Sequence, residues 1–244
     1  MAISSVTPDP SSPSATGRRL GTVLVTGGAS GLGAAIVARV AGDGGTPIVL
    51  DRQAPPADGA HVLVDLTDPR AAEAAVRDEI ARHGGLDAVV CAAGTDACGD
   101  FAETAAEDWE RVIAVNLVGT AAVVRAALPA LRESHGRIVT VASTLGLRTL
   151  PAATAYCASK FGVVGFTRAL AMELAGEVGV TMLVPGGMDT SFFDGRPAEF
   201  RPAPDQQLAS PPEVAEAVAF ALTRPPGVEV RELVVCPPGE PSWP

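Results

Sequence analysis

Tyr156 and Lys160 are the residues whose types and spacing most directly suggest chemistry. They are the only tyrosine and the only lysine of the chain, and they lie four positions apart. In a helix this spacing brings both side chains to one face, where an ammonium lowers the pKa of a neighbouring phenol. A tyrosine tuned in this way can act as a general acid or base near neutral pH. Taken alone, the same spacing also fits an incidental pair on a helix surface.

A glycine-rich turn near the N-terminus predicts a dinucleotide site. An apolar stretch at residues 20–26 runs into this turn, and a helical pattern follows at once. Glycines allow close approach of the backbone to a ligand, and the free N–H groups of a helix start attract phosphate. The alternative is a plain turn that ends a strand. The predicted cofactor contacts in the turn are Gly27, Ser30, Gly31, Leu32 and Gly33.

Asp51 follows the second predicted strand, at residues 46–50, and bears on the choice of cofactor. It lies about 20 residues after the glycine turn, where a carboxylate can bind the adenosine ribose hydroxyls. Such a carboxylate repels a 2′-phosphate, and Ser30 offers no positive charge, so both favour NAD over NADP. Arg52 weakens this preference because it could pair with a phosphate. Asp51 could also simply end its strand in a turn.

Short apolar runs alternate with helical patterns from residue 20 onward. This alternation predicts an α/β fold: a single Rossmann-type, doubly wound parallel sheet of about seven strands with helices on both faces. We predict a disordered tail at 1–19, a dinucleotide-binding catalytic domain at 20–244, and a substrate lid at about 188–210. Strands are predicted at 20–26, 46–50, 61–64, 86–93, 137–142, 180–184 and 231–236, and the later helices at 69–82, 106–131, 153–176 and 212–223.

Composition and charge exclude several classes of protein. The net charge of −10 argues against nucleic acid and anionic membranes as partners, because both attract basic proteins. The four cysteines lack C-x-x-C spacing and the three histidines are scattered, so we expect no metal site and a reducing compartment. No uninterrupted apolar run reaches the ~18 residues of a membrane span, and the first 19 residues lack the apolar core of a signal peptide. We therefore expect a cytoplasmic protein with a small-molecule substrate.

Together these motifs resemble the short-chain dehydrogenase/reductase family, from about residue 20 to the end. The residues that carry the resemblance are the Thr26-Gly27-x-x-x-Gly31-x-Gly33 turn, the set Asn116, Ser143, Tyr156 and Lys160, and the Pro185-Gly186-x-x-x-Thr190 segment. One departure lies after the fourth strand, where the family often has Asn-Asn-Ala-Gly and this chain has Cys91-Ala92-Ala93-Gly94. The glycine remains, but the hydrogen bonds of the asparagine side chains are lost, which puts local bracing of the sheet in doubt.

The resemblance implies a role for each member of a catalytic tetrad. Tyr156 would exchange a proton with the substrate oxygen, and Lys160 would lower the phenol pKa and hold the nicotinamide ribose. Ser143 would hydrogen-bond the substrate oxygen, and Asn116 would hold a water in a proton relay behind Lys160. Thr190 would contact the nicotinamide carboxamide. The further cofactor contacts implied are Asp65, Leu66, Ala92, Ala93, Gly94, Tyr156, Lys160, Pro185, Gly186 and Met188.

The expected function is hydride transfer between a nicotinamide cofactor, preferably NAD, and a secondary alcohol or ketone. Apolar residues near the lid suggest a hydrophobic or cyclic substrate, although the phenylalanines could merely pack the lid onto the core. A lyase, dehydratase or isomerase on the same scaffold and a nucleotide-sensing binding protein are the alternatives. The resemblance also implies a homo-oligomer, a tetramer or dimer, through the helices at 106–131 and 153–176. The predicted substrate contacts are Ser143, Leu145, Tyr156, Gly187, Met188, Phe192 and Phe193.

Overall fold

Each short apolar run forms a strand of one parallel sheet. The structure, a computed structural model, describes residues 17–55 and 60–243. Within these residues seven strands are ordered β3-β2-β1-β4-β5-β6-β7. The strands are β1 Thr22–Thr26, β2 Thr46–Asp51, β3 His61–Leu63, β4 Ala88–Cys91, β5 Arg137–Val141, β6 Gly179–Pro185 and β7 Glu232–Val235. The strand order reverses between β1 and β4, which opens a ligand crevice at their carboxyl ends.

Six α-helices connect the strands. They are α1 Gly31–Gly42, α2 Pro69–His83, α3 Ala106–Ile113, α4 Thr120–Glu133, α5 Thr154–Glu173 and α6 Pro211–Leu222. A π-helical section, Ala114–Gly119, joins α3 to α4. The predicted helix at 106–131 is therefore continuous in the chain but changes its hydrogen-bond pattern midway, as helices often do at functional sites.

Both faces of the sheet are buried under helices. Leu24 of β1 belongs to a core formed with α2, α4 and α5, whereas its neighbours Val23 and Val25 pack with α1 and α6. Successive strand residues point to opposite faces, so a strand covered on both sides is apolar along its whole length. The predicted doubly wound sheet with helices on both faces is confirmed.

The fourth strand is shorter than the predicted 86–93. Its ladder ends at Cys91, and the N–H of Ala93 instead donates to the Thr26 hydroxyl at 3.1 Å. The main chain therefore leaves the sheet toward its carboxyl edge, where the next residues become available to a ligand. Thr26 supplies part of the bracing that the missing asparagines had put in doubt.

The predicted lid at 188–210 is a loop whose two ends are joined. Met188 and Ala209 form an isolated parallel bridge, and the N–H of Asp189 donates to the carbonyl of Ala209 at 3.0 Å. The segment between them contains only the short 3₁₀ turns Ser191–Phe193 and Ala198–Phe200. The loop thus starts where β6 ends, beside the ligand edge of the sheet.

The predicted tail at 1–19 falls largely outside the described residues, which exclude 1–16. Arg18 lies against the domain, because its N–H donates to the carbonyl of Thr223 at 3.0 Å. Its guanidinium also pairs with Asp87 at 3.2 Å. Contacts with the domain therefore begin two residues before the predicted boundary at residue 20.

One helical stretch of the described chain, Ala106–Glu133, has the length and apolar composition of a membrane span. Half of its apolar window is buried inside the protein, and Val123 and Leu131 belong to the main core. A core helix passes the same test of length and composition. These contacts assign the stretch to the core, where it covers one face of the sheet.

Candidate active site

Tyr156 and Lys160 lie on the first turns of α5 and face the carboxyl edge of the sheet. The ammonium nitrogen of Lys160 is 5.6 Å from the centre of the Tyr156 ring. Lys160 is buried, and its Nζ donates to the carbonyl of Val141 at 2.8 Å, at the end of β5. The helical spacing therefore does bring the two side chains together, inside the protein rather than on its surface.

Ser143 follows the end of β5 and meets Tyr156 from the opposite side. Its hydroxyl lies close enough to the phenol of Tyr156 to lower the pKa of that phenol. The same oxygen accepts the N–H of Leu145 at 3.1 Å and so caps a 3₁₀ turn, Thr144–Gly146. The interpretation of Ser143 as a turn cap is therefore confirmed, and its role toward a substrate stays a prediction.

Burial dominates the protonation of this pair. It raises the pKa of Tyr156 to about 12, against the opposing effect of the Ser143 hydroxyl. Burial also lowers the pKa of Lys160 to about 8, although the Asp96 carboxylate favours its charged form. The expected lowering of the phenol pKa by Lys160 is therefore not found here. The physical reason is that Lys160 is buried with its ammonium donating to a backbone carbonyl, and that the phenol of the half-buried Tyr156 is shielded from much of the water.

Asn116 lies in the π-helical section and braces the segment that follows β4. Its Oδ1 accepts the N–H of Thr95 at 2.8 Å, and its Nδ2 donates to the carbonyl of Thr95 at 2.9 Å. Nδ2 also donates to the Ser159 hydroxyl at 3.0 Å, which ties the segment to α5. This amide takes over the bracing for which the family often uses asparagines after the fourth strand. The water-holding role of Asn116 stays a prediction.

Gly94 lies over the catalytic pair at the same edge. A Cβ built on it would be 3.6 Å from the Asn116 amide oxygen and 3.8 Å from the Lys160 nitrogen. These are ordinary contact distances, so a side chain here would not clash with the protein but would fill the space above Lys160. Gly94, Asn116 and Lys160 thus lie together at one wall of the crevice, and their contact with a nicotinamide ribose stays a prediction.

The glycine turn has a backbone conformation that favours glycine, and its shape suits a phosphate group. Gly27 and Gly31 have φ values of 71° and 51°, which residues with a side chain rarely adopt. A Cβ on Gly33 would lie 2.0 Å from the carbonyl oxygen of Gly27, so α1 packs directly on the turn. Ser30 caps α1 without a side-chain hydrogen bond, which leaves the first N–H groups of the helix to a ligand. These features fit a dinucleotide.

Asp51 closes the glycine turn from the end of β2. One carboxylate oxygen accepts the N–H of Ala29 at 3.0 Å, and the other accepts the N–H of Gln53 at 3.0 Å. The turn-forming role that the sequence left open is thus real, and it holds the carboxylate beside the predicted adenosine ribose site. Arg52 is exposed next to it and acts on Asp65, whose pKa is lowered chiefly by the N–H of Thr67.

The other predicted cofactor contacts lie at two ends of the crevice. Leu66 is buried in the core against Gly119, and Asp65 precedes it at the end of the β3 segment. Thr190 lies across the glycine turn, because its methyl carbon is 3.3 Å from a Cβ built on Gly31. Pro185 ends β6, and Met188 packs against the core under α1 and α6. Ala92 and Ala93 line the edge after β4, and Gly186 and Gly187 follow β6.

Phe192 is the part of the lid that reaches the catalytic tyrosine. The centre of its ring is 5.7 Å from that of Tyr156, and Phe193 contacts Phe192 edge-on at 5.6 Å. Leu145 is half-buried beyond Ser143. Of the predicted substrate residues, Ser143, Tyr156 and Phe192 therefore meet at one point, whereas Met188 faces the core.

Two groups of residues near the site were missed by sequence reasoning. Glu240 accepts the N–H of Gly187 at 2.8 Å, and it also accepts the hydroxyl of Ser242, which in turn meets Thr144 at 2.7 Å. Asp96 and Arg196 form a buried ion pair beside Tyr156. No local pattern marks either group, because its members are far apart in the chain and polar residues there also suit an exposed loop.

In residues 17–55 and 60–243 no three His, Cys, Asp or Glu side chains are grouped so as to hold a metal ion. The four cysteines are free.

The sequence of this chain matches a family of known proteins and individual members of known function. The family model described as short chain dehydrogenase matches residues 21–199. The 2-dehydro-3-deoxy-L-rhamnonate dehydrogenase (NAD(+)) of Sphingomonas sp. (strain SKA58) is 38% identical over 185 residues, which cover 71% of this chain and 74% of that protein.

Solved structures agree with the sequence relatives. The ligand-free aldohexose dehydrogenase of Thermoplasma acidophilum has a TM-score of 0.80 and 28% identity, and covers 89% of this chain and 92% of its own. The alcohol dehydrogenase of the archaeon Thermococcus sibiricus, complexed with 5-hydroxy-NADP, has a TM-score of 0.79 and 25% identity, and covers 92% of this chain and 98% of its own.

Proposed function

The chain belongs to the short-chain dehydrogenase family, and on that premise we propose that it transfers a hydride between NAD and a secondary alcohol or ketone. The observation that carries the proposal is that the buried Lys160 nitrogen lies 5.6 Å from the centre of the Tyr156 ring, while the Ser143 hydroxyl is close enough to the same phenol to lower its pKa. A binding protein that only sensed a nucleotide would have no need for this pairing of hydroxyls and amine.

In the proposed reaction the two hydroxyls act on one substrate oxygen. Ser143 orients that oxygen, and Tyr156 gives it a proton during ketone reduction or takes one during alcohol oxidation. Lys160 holds a positive charge within reach of the phenol and faces the wall formed by Gly94. A nicotinamide cofactor, when bound, supplies or accepts the hydride.

The proposed cofactor is NAD, because Asp51 presents a carboxylate beside the expected ribose site. Its oxygens accept two backbone N–H groups, which fix the carboxylate in a position where it would repel a 2′-phosphate. The Sphingomonas relative is named for NAD(+), whereas the Thermococcus structure contains 5-hydroxy-NADP. Arg52 is the feature of this chain that would favour NADP.

The proposed substrate is a hydrophobic or cyclic alcohol or ketone, because Phe192 and its edge-on neighbour Phe193 lie beside Tyr156. The relatives are named for 2-dehydro-3-deoxy-L-rhamnonate and aldohexoses, which carry several hydroxyls. Asp96 and Arg196 would suit such groups if they turned toward a ligand. A substrate screen therefore has to include sugars and sugar acids as well as cyclic ketones.

The oligomer and the location are proposals too. We expect a homo-oligomer, a tetramer or dimer, that buries the long helices, because Val118 and Phe161 leave large apolar side chains 44% and 45% exposed there. Light scattering tests this directly. A cytoplasmic location is consistent with four free thiols.

The deciding experiment is a steady-state screen of secondary alcohols, cyclic ketones, aldoses and aldonic acids with NAD and NADP side by side. We expect cofactor-dependent absorbance changes with at least one substrate, and a higher kcat/KM with NAD. A better kcat/KM with NADP would refute the role given to Asp51. Tight retention of NAD with product formed but no net redox change would instead indicate a lyase, dehydratase or isomerase.

A further inference from the structure

A buried ion pair joins the lid to the segment after β4. The side chains of Asp96 and Arg196 are only 6% and 17% exposed. Asp96 also accepts the N–H of Ala97 at 2.7 Å and the thiol of Cys98 at 2.9 Å. Removing two charges from water is costly, and such a pair contributes little net stability. Its position beside Tyr156 therefore calls for a functional explanation.

The pair is the polar contact that holds the tip of the lid, residues 190–207, against the domain. The base of the lid is closed by the bridge between Met188 and Ala209. Across the described ranges, no other hydrogen bond or ion pair links residues 190–207 to the rest of the domain. Without the ion pair, the tip would be held only by apolar contacts.

The ion pair is connected to Tyr156 through the rings of Phe193 and Phe192. The guanidinium carbon of Arg196 lies 4.6 Å from the centre of the Phe193 ring and 5.1 Å from that of Phe192. Phe192 is in turn 5.7 Å from the ring of Tyr156. Because a stacked guanidinium restricts the ring beneath it, the position of Phe192 depends on the salt link to Asp96.

The same two charges act on the phenol. The groups that face Tyr156 are Ser143, Lys160, Asp96, Arg196 and Cys157. Among them the Asp96 carboxylate raises the pKa of the phenol and the Arg196 guanidinium lowers it. While the pair is intact the two effects oppose each other, and separation of the pair would leave the phenol beside a single uncompensated charge.

We propose that Asp96 and Arg196 are positioning residues that hold the lid tip closed over Tyr156 and balance each other's charge beside its phenol. The pair acts through Phe192 and Tyr156, and the inference rests on the proposed role of Tyr156 as the acid or base. Opening of the lid to admit a substrate would then also change the field at the group that moves the proton.

Chymotrypsin tests the fastening without any substrate. The lid offers Phe192, Phe193 and Phe200 as cleavage sites, and mass spectrometry of the fragments reports which bond is cut. We expect Asp96→Asn and Arg196→Met each to speed cleavage in the lid about tenfold or more, because the tip opens more often. The double variant, which leaves no unpaired charge behind, should be cleaved as fast as the single variants. Equal cleavage in the parent and all three variants would refute the fastening.

The charge balance can be read from the sole tyrosine of the chain. Its tyrosinate absorbance after a rapid pH jump, recorded before alkaline unfolding, reports Tyr156 alone. We expect the midpoint to fall in Asp96→Asn and to rise in Arg196→Met, by about 0.5 or more on the pH scale in each case. The double variant should return close to the parent. Shifts in the same direction, or none, would refute the balance.

Arg201→Met is the matched control for both readouts. Arg201 donates to the carbonyls of Arg196 and Asp194 at 2.8 Å within the lid, but does not contact Asp96. Because these bonds stay within the lid, we expect lid cleavage to remain clearly slower than in the Asp96 and Arg196 variants and the tyrosinate midpoint to stay at the parent value. Neither readout needs turnover. A failed substrate screen would therefore challenge the proposed reaction alone, and unmoved cleavage and midpoints would challenge the positioning pair alone.

Discussion

The two halves of the crevice are built by different means. The half proposed to bind the nucleotide, called the nucleotide half, is formed by β1, α1 and β2, and the half proposed to bind the substrate is called the substrate half. The nucleotide half is made of backbone: Gly27, Gly31 and Gly33 set its shape, and one carboxylate closes it. The substrate half is made of side chains that come from the β4 segment, α5, the lid and the C-terminal residues. A backbone cradle tolerates almost no added atom, whereas side chains can be exchanged, so one half suits a constant cofactor and the other a variable substrate.

Tyr156→Phe should give the largest effect, and it should be confined to the substrate half. It removes the hydroxyl that is proposed to pass a proton to the substrate, and general acid–base groups contribute about 10²- to 10⁴-fold to rate. We expect kcat to fall by that factor while NAD binding, measured by fluorescence titration, is unchanged. A variant that turns over as fast as the parent would remove Tyr156 from the mechanism, and a loss of NAD binding would break the division between the halves.

Gly33→Ala should damage the nucleotide half without touching the catalytic groups. The new methyl group would lie 2.0 Å from the carbonyl oxygen of Gly27, so either α1 or the turn must move. We expect NAD affinity to be lost and the free energy of unfolding to drop by about 1–3 kcal/mol, as for other overpacked sites.

Gly42→Ala is the matched control for that experiment, because it lies in the same helix and no atom is within 4 Å of its added carbon. Replacement of a helical glycine by alanine should leave NAD binding intact and stabilise the protein by about 0.5–1 kcal/mol. If both alanine variants bound NAD equally well, the close packing at Gly33 would have no part in shaping the turn.

Lys160→Met should separate stability from function in the substrate half. The pKa of Lys160 falls from 10.5 in the unfolded chain to about 8 in the folded protein, so burial of its charge costs stability. That cost is fully present below pH 8 and is relieved as the pH rises from 8 to 10.5, because the unfolded chain then binds more protons. We expect the inactive variant to be more stable than the parent at pH 7, by about 1–3 kcal/mol after loss of the bond to Val141.

Urea unfolding of the parent and Lys160→Met at several pH values between 7 and 10 measures this. The advantage of the variant should shrink as the pH passes through 8 toward 10.5. The pKa of Tyr156 shifts in the opposite direction, from 10 in the unfolded chain to about 12 in the folded protein. Its contribution to the free energy of unfolding is therefore fully present below pH 10 and is lost only at higher pH, outside the measured range. If the difference in the free energy of unfolding between the two proteins stayed constant with pH, burial of the Lys160 ammonium would not destabilise the folded protein.

The nucleotide half could be predicted almost completely from the sequence. Its motif is local: a strand, three glycines, a helix start and an acid at the end of the next strand, all within residues 20–51. The chemistry there follows from backbone conformation, which glycine spacing reports directly. The doubly wound sheet and the family were predictable for the same reason, since alternating apolar runs record which faces are buried, and both predictions are confirmed.

The substrate half could be predicted only in part. The sequence pointed to Tyr156, Lys160 and Ser143, whose spacing along the chain matches a helix and the strand before it. It did not reveal that burial raises the pKa of the Tyr156 phenol, nor that the Asn116 amide hydrogen-bonds the main chain of Thr95. Desolvation depends on everything that surrounds a group, and no short motif records that.

The sequence by itself determined the sheet, the cofactor turn and the set of hydroxyl and amine groups at its edge, because these depend on residue type and on near neighbours in the chain. Only the tertiary structure decided which distant residues close the site. Asp96 meets Arg196 and Thr144 meets Ser242 across about a hundred positions, through the packing of loops onto the sheet. Ion pairs and hydrogen bonds of this kind have no periodic signature, since one polar residue in a loop looks like any other until folding brings its partner to it.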